Sequence, residues 1–216
     1  MTFVQFHAIV ASVRDLGVYL DSDMFMRSHI TRLVCTCFGV LQQIRSIRIS
    51  LPRESVLTLI SSLVMSKLDY CNVAFSGLPH CELDRLQSVA HLAVGAQHYE
   101  HITPLLADLH WLRIPQRIQY KLCVLVFNCV HGSAPGYLHI EVIIPVANAE
   151  PRRRLRSASS ADLTILATRR SSLGDSAFAV AGPHVWNTLP DAVRQCSSPD
   201  SFKRSLKTHL YIQCYF

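Results

Sequence analysis

The sequence predicts a mainly α-helical fold, with a short strand pair in front and a small α(+β) segment behind. Three observations lead there. Apolar residues recur at spacings of three and four through most of residues 25–132. Prolines punctuate that stretch at positions suited to helix starts. The opening, rich in Val, Ile, Phe and Tyr around Gly17, lacks the helical period and reads as strands.

Residues 1–24 are expected to form a strand hairpin closed by Asp21-Ser22-Asp23. Two aspartates two apart would suit a divalent cation, but a chain turn that caps the next helix is the favoured reading. In the first helix Ile30, Leu33, Val34, Cys37, Leu41 and Ile44 make one apolar stripe. Pro52 opens a second helix, with Val56, Leu59, Ile60 and Leu63 as its buried face, and Pro79 opens a third through Leu83, Leu86 and Val89. A fourth, short segment runs from Thr103-Pro104 through Leu105, Leu106 and Leu109 to Trp111. The fifth begins at Pro115 and turns Ile118, Leu122, Leu125 and Cys129 inward. Together these five helices make a module over residues 25–132.

Residues 133–173 shift to Pro, Ser, Ala and Arg, with PRRRLRSASS at their centre, and read as a basic linker. Residues 174–216 recover structure. A short apolar segment at Ala177–Ala181 is expected to end in a turn at Gly182-Pro183. A final amphipathic helix then carries Phe202, Leu206 and Leu210 on one face and Lys203, Arg204 and Lys207 off it. Ser198 caps this helix, Pro199 takes its first position and Asp200 meets its dipole.

Charge is distributed unevenly. Residues 1–108 hold 8 Lys/Arg against 9 Asp/Glu, a net of −1, whereas residues 109–216 hold 13 against 6, a net of +7. The basic character belongs to the second half and suits an acidic partner such as nucleic acid. Arg113, Arg117 and Lys121 are spaced by four, and Arg152, Arg153, Arg154 and Arg156 crowd the linker, followed by Arg169-Arg170. Such a run in a flexible stretch is commonly only a solvated segment. The sharper reading is phosphate contact with counterion release, where neutralising about five phosphates gives log affinity a slope near −4 against log salt. Trp111, Tyr120, Tyr99 and Trp186 would serve for base stacking, but all fit the apolar periodicity and are expected in or beside the core.

The remaining inventory is quiet. Eight cysteines lie scattered without a CxxC pair or zinc-finger spacing, which points to buried reduced thiols in an intracellular protein, nuclear or cytoplasmic. The start has no basic region of a secretory signal, and the longest uncharged run, between Lys121 and Glu141, is broken by Asn128, His131, Gly132, Ser133 and Pro135, so no membrane span is expected. His98, His101 and His110 are close in sequence but short of a ligand set, so no metal or other cofactor is expected. There is no phosphate-cradling glycine loop, nucleophile elbow or HExxH helix, and no catalytic residue is assigned.

Several longer phrases carry a resemblance. VRDLGVYLDSDMFMRSHI, LVMSKLDYCNVAFSGLP, HITPLLADLHWLRIPQRIQYKLCVLVFNCVHGSAPGYL, LGDSAFAVAGPHVWNTLP and SFKRSLKTHL stand in this order over roughly residues 13–211. They resemble the C-terminal portion of LINE-type (non-LTR) retrotransposon reverse transcriptases. The resemblance implies that residues 13–20 match the hairpin at the palm–thumb junction and that the helices over 27–132 match a thumb-like module gripping a template–primer duplex by its backbone. It also implies a missing partner: the palm, which holds the metal-binding aspartates, precedes this portion in the family, as does the endonuclease. The sequence contains no Asp-Asp pair, and a two-metal transfer needs clustered carboxylates. The expected function is that of a non-catalytic C-terminal fragment of an RNA-directed DNA polymerase that still holds an RNA or DNA duplex backbone. The alternative is a helical protein-interaction module, or a translated remnant without a role. Self-association through apolar surface is a further expectation of either.

Overall fold

The structure, a computed structural model, describes residues 12–23, 25–93, 106–136, 138, 143–146, 161–167 and 177–216. It is mainly helical, with one two-stranded antiparallel sheet at the front. Strands β1 (Ser12–Asp15) and β2 (Val18–Asp21) pair from Ser12↔Asp21 to Asp15↔Val18. Leu16 and Gly17 join them with φ of 44° and 83°. A two-residue hairpin turn of this hand needs positive φ at both positions, which Gly17 supplies without strain and Leu16 does not. The Tyr70 hydroxyl donates to the Leu16 carbonyl at 2.7 Å and ties this tip to the helical body.

The Asp21-Ser22-Asp23 turn does what its chemistry predicts. Asp21 accepts from the Ser28 N–H at 2.9 Å, in the first turn of α1 (Arg27–Ile47), and Asp23 accepts from the Phe25 N–H at 3.0 Å. Burial raises the Asp21 pKa, but hydrogen bonds from Ser28 and Arg27 outweigh it and leave the carboxyl below its usual range. Helix α1 buries Ile30, Val34, Cys37 and Ile44 along the expected stripe, plus His29.

A second rod follows in three pieces: α2 (Arg53–Ile60), a π turn (Ser61–Met65) and α3 (Ser66–Asp69). The π turn explains a correction. Leu63, expected inside, is 42% exposed, while Val64, Met65 and Leu68 are buried. One extra residue in a helical turn rotates the following side chains by about 100° and moves the buried stripe one position on. After a 3₁₀ turn (Asn72–Phe75), α4 (His80–Ala93) buries Leu86, Val89, Ala90 and Ala93. Of the fourth segment, a helical turn at 106–108 with buried Leu106 is described; Thr103-Pro104 and Leu105 lie outside the described residues.

Helix α5 (Ile114–Val130) joins two apolar cores. Ile114 and Ile118 belong to the first, built from the hairpin and α1–α4. Cys123, Val126, Phe127 and Cys129 belong to the second, completed by α6 (Phe178–Asn187), α7 (Asp191–Arg194) and α8 (Pro199–Tyr215). This double duty makes Val126, not the expected Leu125, the buried residue of that turn; Leu125 is 38% exposed. In α8, Phe202, Leu206 and Leu210 are fully buried, and the Ser198 hydroxyl accepts from the Ser201 N–H at 3.2 Å as the cap.

The expected turn at Gly182-Pro183 is absent: α6 runs straight through it. Pro183 has no N–H to give the Ala179 carbonyl, a defect of about 3 kcal/mol in an isolated helix. The packing outweighs it. Val180, Ala181, Gly182, Pro183 and Trp186 are all buried, and each large apolar side chain contributes about 1.5–3 kcal/mol. Gly182 lies so close to α5 that a Cβ there would stand 2.9 Å from Val126 Cγ2.

Parts of the stretch read as a linker are also built in. Ile143, Val146 and Leu163 are buried, and Pro145 pairs with Leu163 in an isolated antiparallel bridge, through Val146 N–H to Asp162 O at 3.0 Å and Thr164 N–H to Ile144 O at 2.8 Å. Trp186 Nε1–H donates to the Ala161 carbonyl at 2.9 Å. Asn187 clamps Leu163 by both main-chain groups, accepting its N–H and donating to its carbonyl, each at 2.9 Å. Arg194 pairs with Asp162 and Asp191. Composition hides these anchors because a few apolar residues and one aspartate, separated by polar filler, do not produce a period.

Two stability predictions follow from this packing. Gly182→Val drives three carbons into filled space against α5 and is expected to lower the unfolding free energy by about 1–3 kcal/mol; urea denaturation checks it, with partial relief in the Gly182→Val/Val126→Ala pair showing that the two sites couple. The second concerns His29. Burial lowers its pKa below the ordinary 6.5, against the pull of Asp21, and its Nε2 has no hydrogen-bond partner between the Tyr19 and Phe75 rings. The unfolded chain therefore binds the proton more readily. The neutral-state stability is fully present above about pH 6.5 and falls as pH drops through the depressed pKa. Chemical denaturation at pH 7.5 and 5.0 should show that loss in the wild type and a smaller one in His29→Leu.

Candidate nucleic-acid interface

The sequence singles out Arg113, Arg117 and Lys121, spaced by four at the start of one helix, and the structure separates their roles. Arg113 stands just ahead of α5, and Arg117 and Lys121 lie in its N-terminal half; the position of the helix is set by polar anchors as well as by the two cores. The Ile114 N–H, which has no helical acceptor, donates to Gln87 Oε1 of α4 at 2.8 Å. The loop ahead of it is pinned by α8, where the Tyr211 hydroxyl donates to the Ala107 carbonyl at 2.9 Å and the Tyr215 hydroxyl to that of Trp111.

Arg113 is half-buried, its guanidinium 5.8 Å from the centre of the Tyr215 ring. Burial pushes the Tyr215 phenol up to about 12, with Cys214 adding to the rise and Arg113 opposing it. Burial likewise raises Cys214, again against Arg113. Arg113 thus works at the seam between α5 and α8.

Arg117 is committed to Asp69 at the end of α3. Its Nε–H donates to Oδ1 at 2.8 Å, and a second nitrogen meets Oδ2, a two-pronged pair that leaves both side chains less than a third exposed. Asn72 Nδ2 adds a further donor to Asp69 Oδ1 at 3.3 Å. The charge of Arg117 is thereby locally cancelled.

Lys121 is exposed, and it does not stand alone. With Lys207, exposed on α8, it lines a cleft of ≈ 240 Å³ whose other walls are Asp69, Arg117, His110, Trp111, Leu112 and Tyr120. Among the described residues neither lysine is ion-paired. His110, with φ of 52°, sits in a left-handed turn that ends the short helical turn, its ring 5.5 Å from that of Tyr211. The cleft thus combines two unpaired ammonium groups, one internal ion pair and three aromatic side chains. That is the chemistry of an anionic ligand with a flat apolar part.

Lys207 and Asp69 are the residues that sequence reasoning missed. The polar face of the final helix is visible in the sequence, but its docking beside α5 depends on residues far apart in the chain. Arg152, Arg153, Arg154 and Arg156 lie outside the described residues, as do Arg169-Arg170, Tyr99, His98 and His101. Trp186 is 1% exposed and Tyr120 and Trp111 are half-buried, as their periodicity predicts. No group of three or more His, Cys, Asp or Glu among the described residues is placed to hold a metal ion. The thiols divide: Cys37, Cys123 and Cys129 are buried, with burial raising Cys37 to about 11 and Cys123 to about 12, whereas Cys35, Cys71 and Cys81 are exposed. No described helix is long and apolar enough to cross a membrane.

No protein-family model, curated protein or solved structure matches this chain. Its site is therefore defined by its own geometry.

The Arg117–Asp69 pair makes a direct prediction. Asp69→Asn removes the carboxylate that holds Arg117 and adds one net positive charge to the cleft, so the variant is expected to elute from a heparin column at higher salt than the wild type. Asn72→Ala, which leaves the charge unchanged, should elute where the wild type does.

Proposed function

We propose that this chain is a nucleic-acid-holding, non-polymerising counterpart of the C-terminal portion of LINE-type reverse transcriptases. In this reading Lys121 and Lys207 meet the phosphate backbone of an RNA or DNA duplex without reading sequence. The observation that carries it is the cleft between α5 and α8, where two lysines from distant parts of the chain stand together with no carboxylate partner of their own among the described residues. The ordered phrases over residues 13–211 and the net charge of +7 in the second half support it. With no adjacent aspartate pair in the sequence, the role left to the chain is grip rather than nucleotide transfer. A polymerase palm is the protein partner that the resemblance implies.

One observation favours the second reading, a protein-interaction module: at the corner after α1, Ile47 is 48% and Ile49 92% exposed. Salt separates the two, since phosphate contact weakens with it and apolar association does not.

Binding of the purified chain to a labelled RNA–DNA duplex, followed across a salt series, tests the proposal. Lys121→Ala/Lys207→Ala is expected to weaken binding at every salt concentration. The slope of log affinity against log salt should become shallower by about 2, roughly one unit for each phosphate that a lysine no longer neutralises. Wild-type binding that ignores salt, or no binding at low salt, counts against the nucleic-acid reading. An unchanged slope in the double variant removes these lysines from it.

A further inference from the structure

The same cleft carries a narrower inference, which rests on the nucleic-acid reading and deepens it. We infer that the cleft between α5 and α8 receives a single unpaired nucleotide, its phosphate held by Lys121 and Lys207 and its base set against His110, Trp111 and Tyr120. A duplex backbone alone needs only exposed cations on a surface. Here the cations open onto an aromatic-walled recess, and three aromatic side chains in one small cleft offer a base what water does not.

Size and charge both restrict the ligand. At ≈ 240 Å³ the cleft is smaller than the ~300–1,000 Å³ typical of sites for whole organic ligands, a size that suits one nucleotide unit better than a longer stretch of strand. Of its eight lining residues only Asp69 is acidic, and Arg117 engages both of its oxygens. A phosphate is thus left to the two lysines. The recess is firmly built: Tyr211 and Tyr215 of α8 hold the carbonyls of Ala107 and Trp111 on either side of His110. An aromatic platform that does not collapse when empty loses little entropy on binding.

A free mononucleotide and an unpaired nucleotide within a strand share this chemistry, and the test separates them. The chain has two tryptophans. Trp186 is 1% exposed in the second core, so a ligand that quenches part of the emission reports on Trp111. The probes are adenosine 5′-monophosphate, adenosine, a single-stranded oligodeoxyadenylate and a blunt duplex of the same length.

Saturable quenching by the monophosphate or by the oligonucleotide is expected, with adenosine at least tenfold weaker. Quenching by both, or by either one, supports the site; response to the oligonucleotide alone names a strand as the source, and response to the monophosphate alone names the free nucleotide. Lys121→Ala/Lys207→Ala, two exposed positions, should raise the dissociation constant at least tenfold with an unchanged emission spectrum of the free protein. Trp111→Phe should abolish the quenching. The inference falls if neither phosphate-bearing probe quenches, if adenosine binds as well as its monophosphate, or if the lysine pair changes nothing. Retention of the blunt duplex in a gel shift, with no quenching by either probe, overturns this inference and leaves the duplex reading standing; loss of both overturns both.

Discussion

The structure depends on one helix being buried twice. Helix α5 closes the first core with Ile114 and Ile118 and builds the second with Cys123, Val126, Phe127 and Cys129. A helix packed on one side needs an apolar stripe of ≳ 100°; α5 presents two, offset along its length. The consequence is that both cores fix the place of the charges. Arg117 and Lys121 leave α5 near the crossover from one core to the other, so a shift of either core moves them. Their placement is a by-product of packing at both ends.

The second core shows how polar groups make apolar packing specific. Phe127 stacks on Phe202 at 4.3 Å, and Trp186 tilts against Phe202 at 5.7 Å. Aromatic surfaces alone would accept several arrangements. Asn187, clamping both main-chain groups of Leu163, and Trp186, donating to Ala161, admit one. Removing the Asn187 side chain would strand both main-chain groups of the buried Leu163, which costs about 1–3 kcal/mol apiece. The GPHVWN passage thus has a structural purpose: Gly182 and Pro183 lie buried with α6 against α5, and Trp186-Asn187 fasten the chain that precedes α6.

How much of this is readable in the sequence follows from the range of the interactions. The stripes of α1, α4 and α8, the Asp21 and Ser198 caps and the hairpin at Gly17 are decided by neighbours within a few residues, and the sequence displays them. Leu63 and Leu125 escape the periodic reading because a π turn in one case and a second core in the other reset the face locally, and neither leaves a mark in a 3.6-residue period. The continuous α6 runs against local chemistry altogether, since Gly-Pro favours a turn until buried surface outweighs it. At the cleft the pattern repeats: Lys121 is visible as one of a basic series, whereas Lys207 and Asp69 become site residues only through the docking of α8 and α3 on α5.

That docking also decides which basic residues are available for an anion. A sum of charges gives the second half +7, but a charge acts through its surroundings. Arg117, held two-pronged by Asp69, looks from outside like a dipole, and beyond a Debye length of about 8 Å its field is lost in salt. Arg113 lies half-buried over Tyr215 at the α5–α8 seam. Lys121 and Lys207 differ in being exposed, unpaired among the described residues, and on two helices that face one recess. Three basic residues spaced by four in sequence therefore become one structural arginine, one neutralised arginine and one exposed lysine. A fourth cation, invisible to that spacing, replaces what the ion pair removes. On the proposed reading the affinity of the cleft is set less by how many basic residues the chain carries than by the single carboxylate that keeps Arg117 occupied.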